Sequence, residues 1–228
     1  MDKERLSDIL AVNKGLSANI FPFKLNKETT FKLDLGHSNP ELADLDITDN
    51  EVFISYLRAV SDKNIGKIPV GGYNERRLLY SRSDHFGMGS ERRDIHLGID
   101  IWLPEGTPVS APFDSLVHSF ANNTNYRDYG PTIILEHIIK GHTFYTLYGH
   151  LSLESLSDMH TGKIIKRAEV FSSIGSVDVN GSWPPHLHFQ VIGDMGDMKG
   201  DFPGVTSMND RDKYLELCPD PAYILGLK

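Results

Sequence analysis

Four of the ten histidines in the 228-residue chain lie in patterns that could do chemistry. His96 stands four residues before Asp100 in the stretch IHLGIDIWL, and both occupy the polar positions of an alternating strand pattern. His186 and His188 alternate in the same way with the apolar residues of HLHFQVI. A catalytic zinc site needs three nitrogen or carboxylate ligands and one open position. The chain therefore offers a set of two histidines and one aspartate for such a site.

The spacing of these residues constrains the backbone. Residues i and i+4 of an extended strand lie roughly 13 Å apart at ~3.3 Å per residue, which is too far to share one ion. We therefore expect the strand to bend between His96 and Asp100, at Gly98. The imidazoles of His186 and His188 point to the same face, so one can bind a metal while the other lies beside it. The spacing alone does not choose between them.

Hydrolysis by a zinc-activated water also needs a base. The HExxH glutamate of many zinc peptidases is absent, so another residue must accept the proton. A histidine that does not bind the metal is suitable, because its ordinary pKa is near neutrality. His150, in the stretch FYTLYGHLS, is expected by alternation to share a face with Tyr148.

These motifs together resemble the lysostaphin-like zinc endopeptidases, which cut peptidoglycan cross-links. The order HxxxD, YxHL and HxH is the same, and the resemblance covers about residues 94–192. Four stretches carry it: HLGIDIWLPEGTPVSAP (96–112), YGPTIILEH (129–137), FYTLYGHLS (144–152) and PPHLHFQV (184–191).

The resemblance implies a role for each residue of the pattern. His96, Asp100 and His188 are similar to the three zinc ligands of the family. His186 and His150 resemble its two catalytic histidines, of which one acts as general base and both could stabilise the tetrahedral intermediate. The implied cofactor is zinc.

Two further residues are candidates for substrate binding. Tyr148 could donate a hydrogen bond to an oxyanion, although packing is the commoner role of such a tyrosine. Arg93 could hold a substrate carboxylate, although a solvated charge is the default. The flanks GGYNERRLLY (71–80), DFPGV (201–205) and CPDP (218–221) resemble a lysostaphin-like module that some bacterial proteins fuse to a class-III aminotransferase. Membership of that subgroup would put peptidoglycan in doubt as the substrate.

The composition argues against some classes of binding partner. The net charge of −8 and the pI near 5.6 argue against nucleic acid or an anionic membrane surface as partners. The single cysteine, Cys218, can form no internal disulfide. The first residues read MDKERLSDILAVNKG and do not resemble a secretory leader, and no run approaches the ~18 apolar residues of a membrane span. We therefore expect a cytoplasmic protein that acts on a peptide; the sequence identifies no protein partner.

Periodicity divides the chain into three parts. Residues 1–70 are predicted to be mostly helical, with helices at Asp2–Asn13 and Asp49–Asn64. Residues 71–192 show period two with glycine and proline punctuation, which predicts a zinc peptidase-like β domain. Residues 193–228 are predicted to form a tail that packs on the core. The fold class is mainly β: an antiparallel sheet core of the lysostaphin-like type with a helical N-terminal extension.

The sequence thus predicts a zinc metallopeptidase that hydrolyses an amide bond in a small or flexible peptide. The peptide could be a peptidoglycan-like cross-link or a cytosolic peptide. Two alternatives remain at this stage. One is a binding or regulatory module that keeps the zinc site without turnover, and the other is a small-molecule amidohydrolase with the same metal chemistry.

Overall fold

The computed structural model describes residues 5–82 and 86–228, and most of its elements are short strands. The strands are β1 (Thr30–Leu33), β2 (Ile68–Gly71), β3 (Arg93–His96), β4 (Ile99–Ile101), β5 (Pro108–Ser110), β6 (Ser115–Asn123), β7 (Gly130–Ile139), β8 (His142–Gly149), β9 (Ile164–Ile165), β10 (Val170–Ser173), β11 (Leu187–Ile192) and β12 (Val205–Ser207). The α-helices are α1 (Leu6–Val12), α2 (Asn50–Lys63), α3 (Leu78–Ser81), α4 (Arg211–Leu217) and α5 (Ala222–Leu225).

Eight strands form one sheet in the order β1-β2-β4-β11-β8-β7-β6-β9. Every neighbouring pair in this sheet is antiparallel except β1 and β2, which are parallel. Two small ribbons stand beside it: β5 pairs with β10, and β3 pairs with β12. The mainly-β class with an antiparallel core, predicted from the period-two pattern, is confirmed.

Alternation along the central strands gives the sheet two buried faces. Ile133 and Tyr148 are cross-strand partners and belong to one hydrophobic cluster, whereas the next pair, Ile134 and Leu147, belongs to another. Successive side chains of a strand point to opposite faces, so the two clusters lie on opposite sides of the sheet. A third cluster includes residues of α2 and α3 together with Trp102.

The region 1–70 is less helical than its sequence predicts. α2 matches the predicted helix Asp49–Asn64 closely, and the side chain of Asp49 caps it by accepting from two backbone N–H groups. α1 covers the middle of the predicted helix Asp2–Asn13, whose first residues lie outside the described part of the chain. Between these helices, β1 adds to β2 at one edge of the main sheet, because the extended stretch from Thr30 pairs with Ile68–Gly71. The predicted boundary at residue 70 therefore falls inside a strand.

The segment 193–228 contacts the core at several points. β12 pairs with β3, and Phe202 and Cys218 belong to the same buried cluster as Leu147. Cys218 is a free thiol. Within the ranges that the structure describes, no helix combines the length and the apolar character needed to cross a membrane.

Candidate metal centre and active site

Two neighbouring strands in the middle of the main sheet bring the predicted ligands together. β4 pairs with β11 in a register that sets Asp100 directly opposite His188. His96 ends β3, which belongs to the ribbon with β12, and the chain turns at Leu97 and Gly98 before β4 of the main sheet begins. Gly98 is needed at this turn, because a Cβ there would lie 2.6 Å from the ring of His188. The bend expected at Gly98 thus brings residues i and i+4 of one chain segment to one point.

The three candidate ligand atoms form a compact triangle. His96 Nε2 lies 3.0 Å from His188 Nδ1 and 3.3 Å from Asp100 Oδ1. His188 Nδ1 lies 3.0 Å from the same carboxylate oxygen. Ligands placed tetrahedrally at ~2.0–2.1 Å from zinc are separated by about 3.3 Å, so the triangle has nearly the size of one tetrahedral face. All three side chains are buried.

Hydrogen bonds to the outer ring nitrogens prepare both histidines for a metal. His96 Nδ1 lies 3.0 Å from the carbonyl oxygen of Gly72, and His188 Nε2 lies 2.9 Å from Oε1 of Gln190. These oxygens can only accept, so in the neutral rings the outer nitrogens carry the protons and the inner nitrogens are bare. Gln190 is itself oriented, because its Nε2 donates to the carbonyl of Pro203. Such outer partners are typical of metal-binding histidines.

The two remaining histidines, His186 and His150, lie close to this triangle, and each also has one ring nitrogen that donates to a backbone carbonyl. His186 Nδ1 donates to the carbonyl of Pro184 at 2.7 Å, and its Nε2 lies 3.9 Å from Asp100 Oδ2. His150 Nδ1 donates to the carbonyl of Asn180 at 3.0 Å. The two rings are 4.2 Å apart. Each therefore has a bare Nε2 that could accept a proton.

Burial sets the charge states of the site. It lowers the pKa of His96 to about 4, with a further contribution from the Arg77 guanidinium. Burial also lowers the pKa of His150 and of His186, with neighbouring histidines adding to the shift. Burial raises the pKa of Asp100, but the effects of His96 and Arg77 outweigh it, so the pKa of this carboxyl lies well below its usual range. At neutral pH His96, His150 and His186 are thus neutral beside an ionised Asp100, and neutral imidazole and carboxylate are the states that bind zinc.

The expected common face of Tyr148 and His150 is wrong. Tyr148 is fully buried on the face opposite the site, where it packs against Phe171 and Phe189 and accepts a hydrogen bond from Thr146. It does not line the cavity at the candidate metal centre. His150 reaches the site because its backbone is left-handed, with φ of 64°, which breaks the alternation after β8. Tyr148 is therefore unsuited to bind substrate.

A cavity of about 610 Å³ opens beside the candidate ligands. Arg93 lines it, and its predicted contact with a substrate carboxylate stays a prediction. The wall includes the non-ligand histidines and apolar side chains from both the β region and the N-terminal region, among them Leu35, Phe53, Leu79, Tyr80, Phe86, Trp102 and Trp183. Leu35 and Phe53 of the N-terminal region thus contribute to the lining of the cavity, whose volume is within the ~300–1,000 Å³ of ordinary small-ligand sites.

Sequence reasoning missed several residues of the site. Arg77 donates to Asp100, Gln190 orients His188, and the hydroxyl of Tyr129 lies 3.4 Å from His188 Nε2. Gln190 could have been found, because it continues the polar face of HLHFQ by alternation. Arg77 could not, since it lies 23 residues before its partner in a stretch without regular periodicity.

The sequence model of Peptidase family M23 matches residues 94–199. One curated relative is a DD-carboxypeptidase/endopeptidase, Mpg, of Neisseria meningitidis serogroup B, which is 32% identical over 126 residues, covering 53% of this chain and 26% of that protein. Another is an uncharacterized metalloprotease of Haemophilus influenzae, 34% identical over 95 residues, covering 42% of this chain and 18% of its own length. The chain thus spans about a quarter or less of the curated relatives described here.

Solved structures of similar proteins include the catalytic domain of lysostaphin from Staphylococcus simulans. It is 23% identical, with 58% of this chain and 80% of that chain covered and a TM-score of 0.38. A zinc containing peptidase from Vibrio cholerae is 25% identical, with 45% and 31% covered and a TM-score of 0.35. Residues 94–199 are thus similar to Peptidase family M23, as the family model shows.

Proposed function

We propose that this chain is a zinc-dependent metallopeptidase that hydrolyses an amide bond in a small or flexible peptide. One observation carries the proposal: four buried histidines each donate from one ring nitrogen to an oxygen of the chain and keep the other nitrogen bare. Two of the bare nitrogens face one oxygen of Asp100 in a triangle of tetrahedral size. A merely structural cluster does not need this arrangement.

Each residue has a task in the proposed mechanism. His96, Asp100 and His188 would hold the zinc, and when bound it would supply the Lewis-acid chemistry for water activation and carbonyl polarisation. His150 and His186 accept the proton of the attacking water and deliver a proton to the leaving amine. Their neutral state at pH 7 suits the first of these steps, because a protonated imidazole cannot act as a base.

The shape of the cavity supports a short substrate. Leu35 and Phe53 of the N-terminal region line the same cavity as the candidate catalytic histidines, so this region narrows the space for substrate. The same feature favours a second candidate function, hydrolysis of a small-molecule amide. The relation to the subgroup fused to class-III aminotransferases and the location in the cytoplasm stay predictions.

Histidine variants test the proposal by separating metal binding from turnover. We expect His188→Ala to lose stoichiometric zinc, measured by elemental analysis after dialysis. His186→Ala and His150→Asn should keep zinc and lose about 10²–10⁴-fold in turnover of a peptide library, the usual contribution of a general base. Asparagine is preferred at residue 150 because it tolerates left-handed backbone better than alanine.

His118→Gln is the matched control, since His118 does not line the cavity. It should keep both zinc and turnover. Stoichiometric zinc in His188→Ala would show that the ligand set is wrong. If the zinc-loaded parent cleaves peptides and both catalytic variants match its rate, the roles of the two histidines are wrong. A parent that binds zinc but cleaves no peptide and no small amide would favour the non-catalytic binding module.

A further inference from the structure

Arg77 is a buried cation that contacts Asp100, one of the candidate metal ligands. Only 3% of its surface is exposed, and its Nη1 donates to Asp100 Oδ2. The same Nη1 lies 3.1 Å from the hydroxyl of Tyr80, and Nε donates to Glu75 Oε2 at 3.1 Å. The guanidinium is therefore held by groups on several sides, and its position relative to Asp100 is defined.

The two oxygens of Asp100 face different partners. Oδ1 lies 3.0 Å from His188 Nδ1 and 3.3 Å from His96 Nε2. Oδ2 faces Arg77, with His186 Nε2 at 3.9 Å. A planar guanidinium with fixed donors orients a carboxylate more strictly than a flexible ammonium group does. The contact with Arg77 thus leaves one oxygen, Oδ1, on the side of the histidine ligands.

The fold reserves space for this guanidinium. Gly71 is the cross-strand partner of Asp100 in the pairing of β2 with β4. A Cβ at Gly71 would lie 2.8 Å from Arg77 Nη2 and 2.6 Å from the ring of Trp102, so a larger residue would displace Arg77. The next residue, Gly72, accepts from His96. Gly71, Gly72 and Arg77 all precede residues 94–199, the part of the chain that matches the family model.

We propose that Arg77 is a positioning residue that reserves Asp100 Oδ2 and so restricts the aspartate to one-oxygen coordination of the metal. The proposal rests on the metal centre proposed above. A single carboxylate oxygen with two imidazoles gives three protein ligands and leaves the fourth tetrahedral position open for chemistry. A carboxylate free to rotate could offer both oxygens and fill that position.

Zinc affinity and cobalt spectroscopy of Arg77 variants test this role. The variants are Arg77→Met, which removes the charge and the donors, and Arg77→Lys, which keeps the charge without the planar fork. Arg76→Met is the matched control, because Arg76 pairs with a different buried carboxylate, Asp94, at 2.9 Å. Zinc affinity is measured by competition with a chromophoric chelator. The coordination number is followed by visible absorption of the Co²⁺-substituted protein, which is stronger for four-coordinate than for five-coordinate cobalt.

We expect Arg77→Met to bind zinc 10–100-fold more weakly than the parent, the usual effect of losing an outer partner of a metal ligand. Its cobalt form should absorb less, in keeping with a fifth ligand oxygen. Arg77→Lys should show the same spectral change with a smaller loss of affinity, and Arg76→Met should match the parent in both measurements.

Two results would overturn the role of Arg77. One is a folded Arg77→Met or Arg77→Lys with the parent's cobalt spectrum and a zinc affinity within twofold. The other is tighter zinc binding in Arg77→Met, because Arg77 would then act on the metal only as a repelling charge. If Arg77→Met does not fold, the spectrum of Arg77→Lys decides alone. A parent that binds no zinc would instead refute the metal centre itself, so the two failures are distinguishable.

Discussion

Adding one methyl group at Gly98 should disrupt the candidate metal centre without touching a ligand. The Cβ of Gly98→Ala would lie 2.6 Å from His188 Cε1, 2.7 Å from its Nε2 and 2.8 Å from the carbonyl oxygen of Phe189. An ordinary contact begins at 3.4 Å, so the ring must move by about 0.8 Å. Metal–ligand distances tolerate about ±0.2 Å. Since Gln190 Oε1 also contacts Nε2 of this ring, the ring has little freedom to make this shift.

We therefore expect Gly98→Ala to bind zinc at least 10-fold more weakly and to lose about 1–3 kcal/mol of stability, the usual cost of overpacking. Zinc affinity is measured by chelator competition, and unfolding by urea in the presence of EDTA. Gly15→Ala is the control, because a Cβ at Gly15 meets nothing within 4 Å. A folded Gly98→Ala with the parent's zinc affinity would show that the steric reasoning, or the assignment of His188 as a ligand, is incorrect.

Two further predictions concern residues around the site. Burial lowers the pKa of His137 to about 4, so its contribution to stability is complete above its ordinary pKa of 6.5 and is lost as the pH falls toward 4. At ~1.4 kcal/mol per pKa unit, the loss of stability between pH 7 and pH 5 amounts to about 2 kcal/mol. Urea unfolding at the two pH values should show a loss that is smaller by this amount in His137→Gln than in the parent. Equal losses in the two proteins would contradict the prediction. Burial raises the pKa of Tyr129 well above its usual value, so its hydroxyl stays protonated, with its oxygen 3.4 Å from His188 Nε2. Tyr129→Phe should keep zinc and lose about 10²–10³-fold in kcat if that hydroxyl stabilises an oxyanion, whereas an unchanged kcat would assign Tyr129 to packing alone.

The sequence predicted the parts of the site that depend on strand alternation. Period two predicts that Asp100 and His188 lie on the polar sides of their strands, and a glycine between His96 and Asp100 predicts the bend that brings them together. These are local properties of the chain, and the pairing of β4 with β11 adds only the register. The mainly-β class followed from the same pattern for the same reason.

Other features depend on contacts that no local pattern reveals. The side chain of His150 reaches the cavity through a left-handed backbone at a non-glycine residue, which alternation cannot predict and which removed Tyr148 from the site. Arg77 follows β2 in a segment that bridges to Ile95 through Arg76, and the irregular stretch around it gave no sign of its contact with Asp100. The positions of His150 and Arg77 in the site therefore depend on the tertiary structure and not on a local sequence pattern.

The pairing of β4 with β11 also bears on when the metal centre can form during folding. Asp100 and His188 are 88 residues apart in sequence, and β11 lies between β4 and β8 in the sheet. A chain emerging from the ribosome therefore presents His96 and Asp100 long before their third partner exists. Contacts between such distant segments tend to form late, because closing a long loop costs entropy before the contact repays it. Zinc should consequently bind a sheet that is already assembled rather than nucleate its assembly.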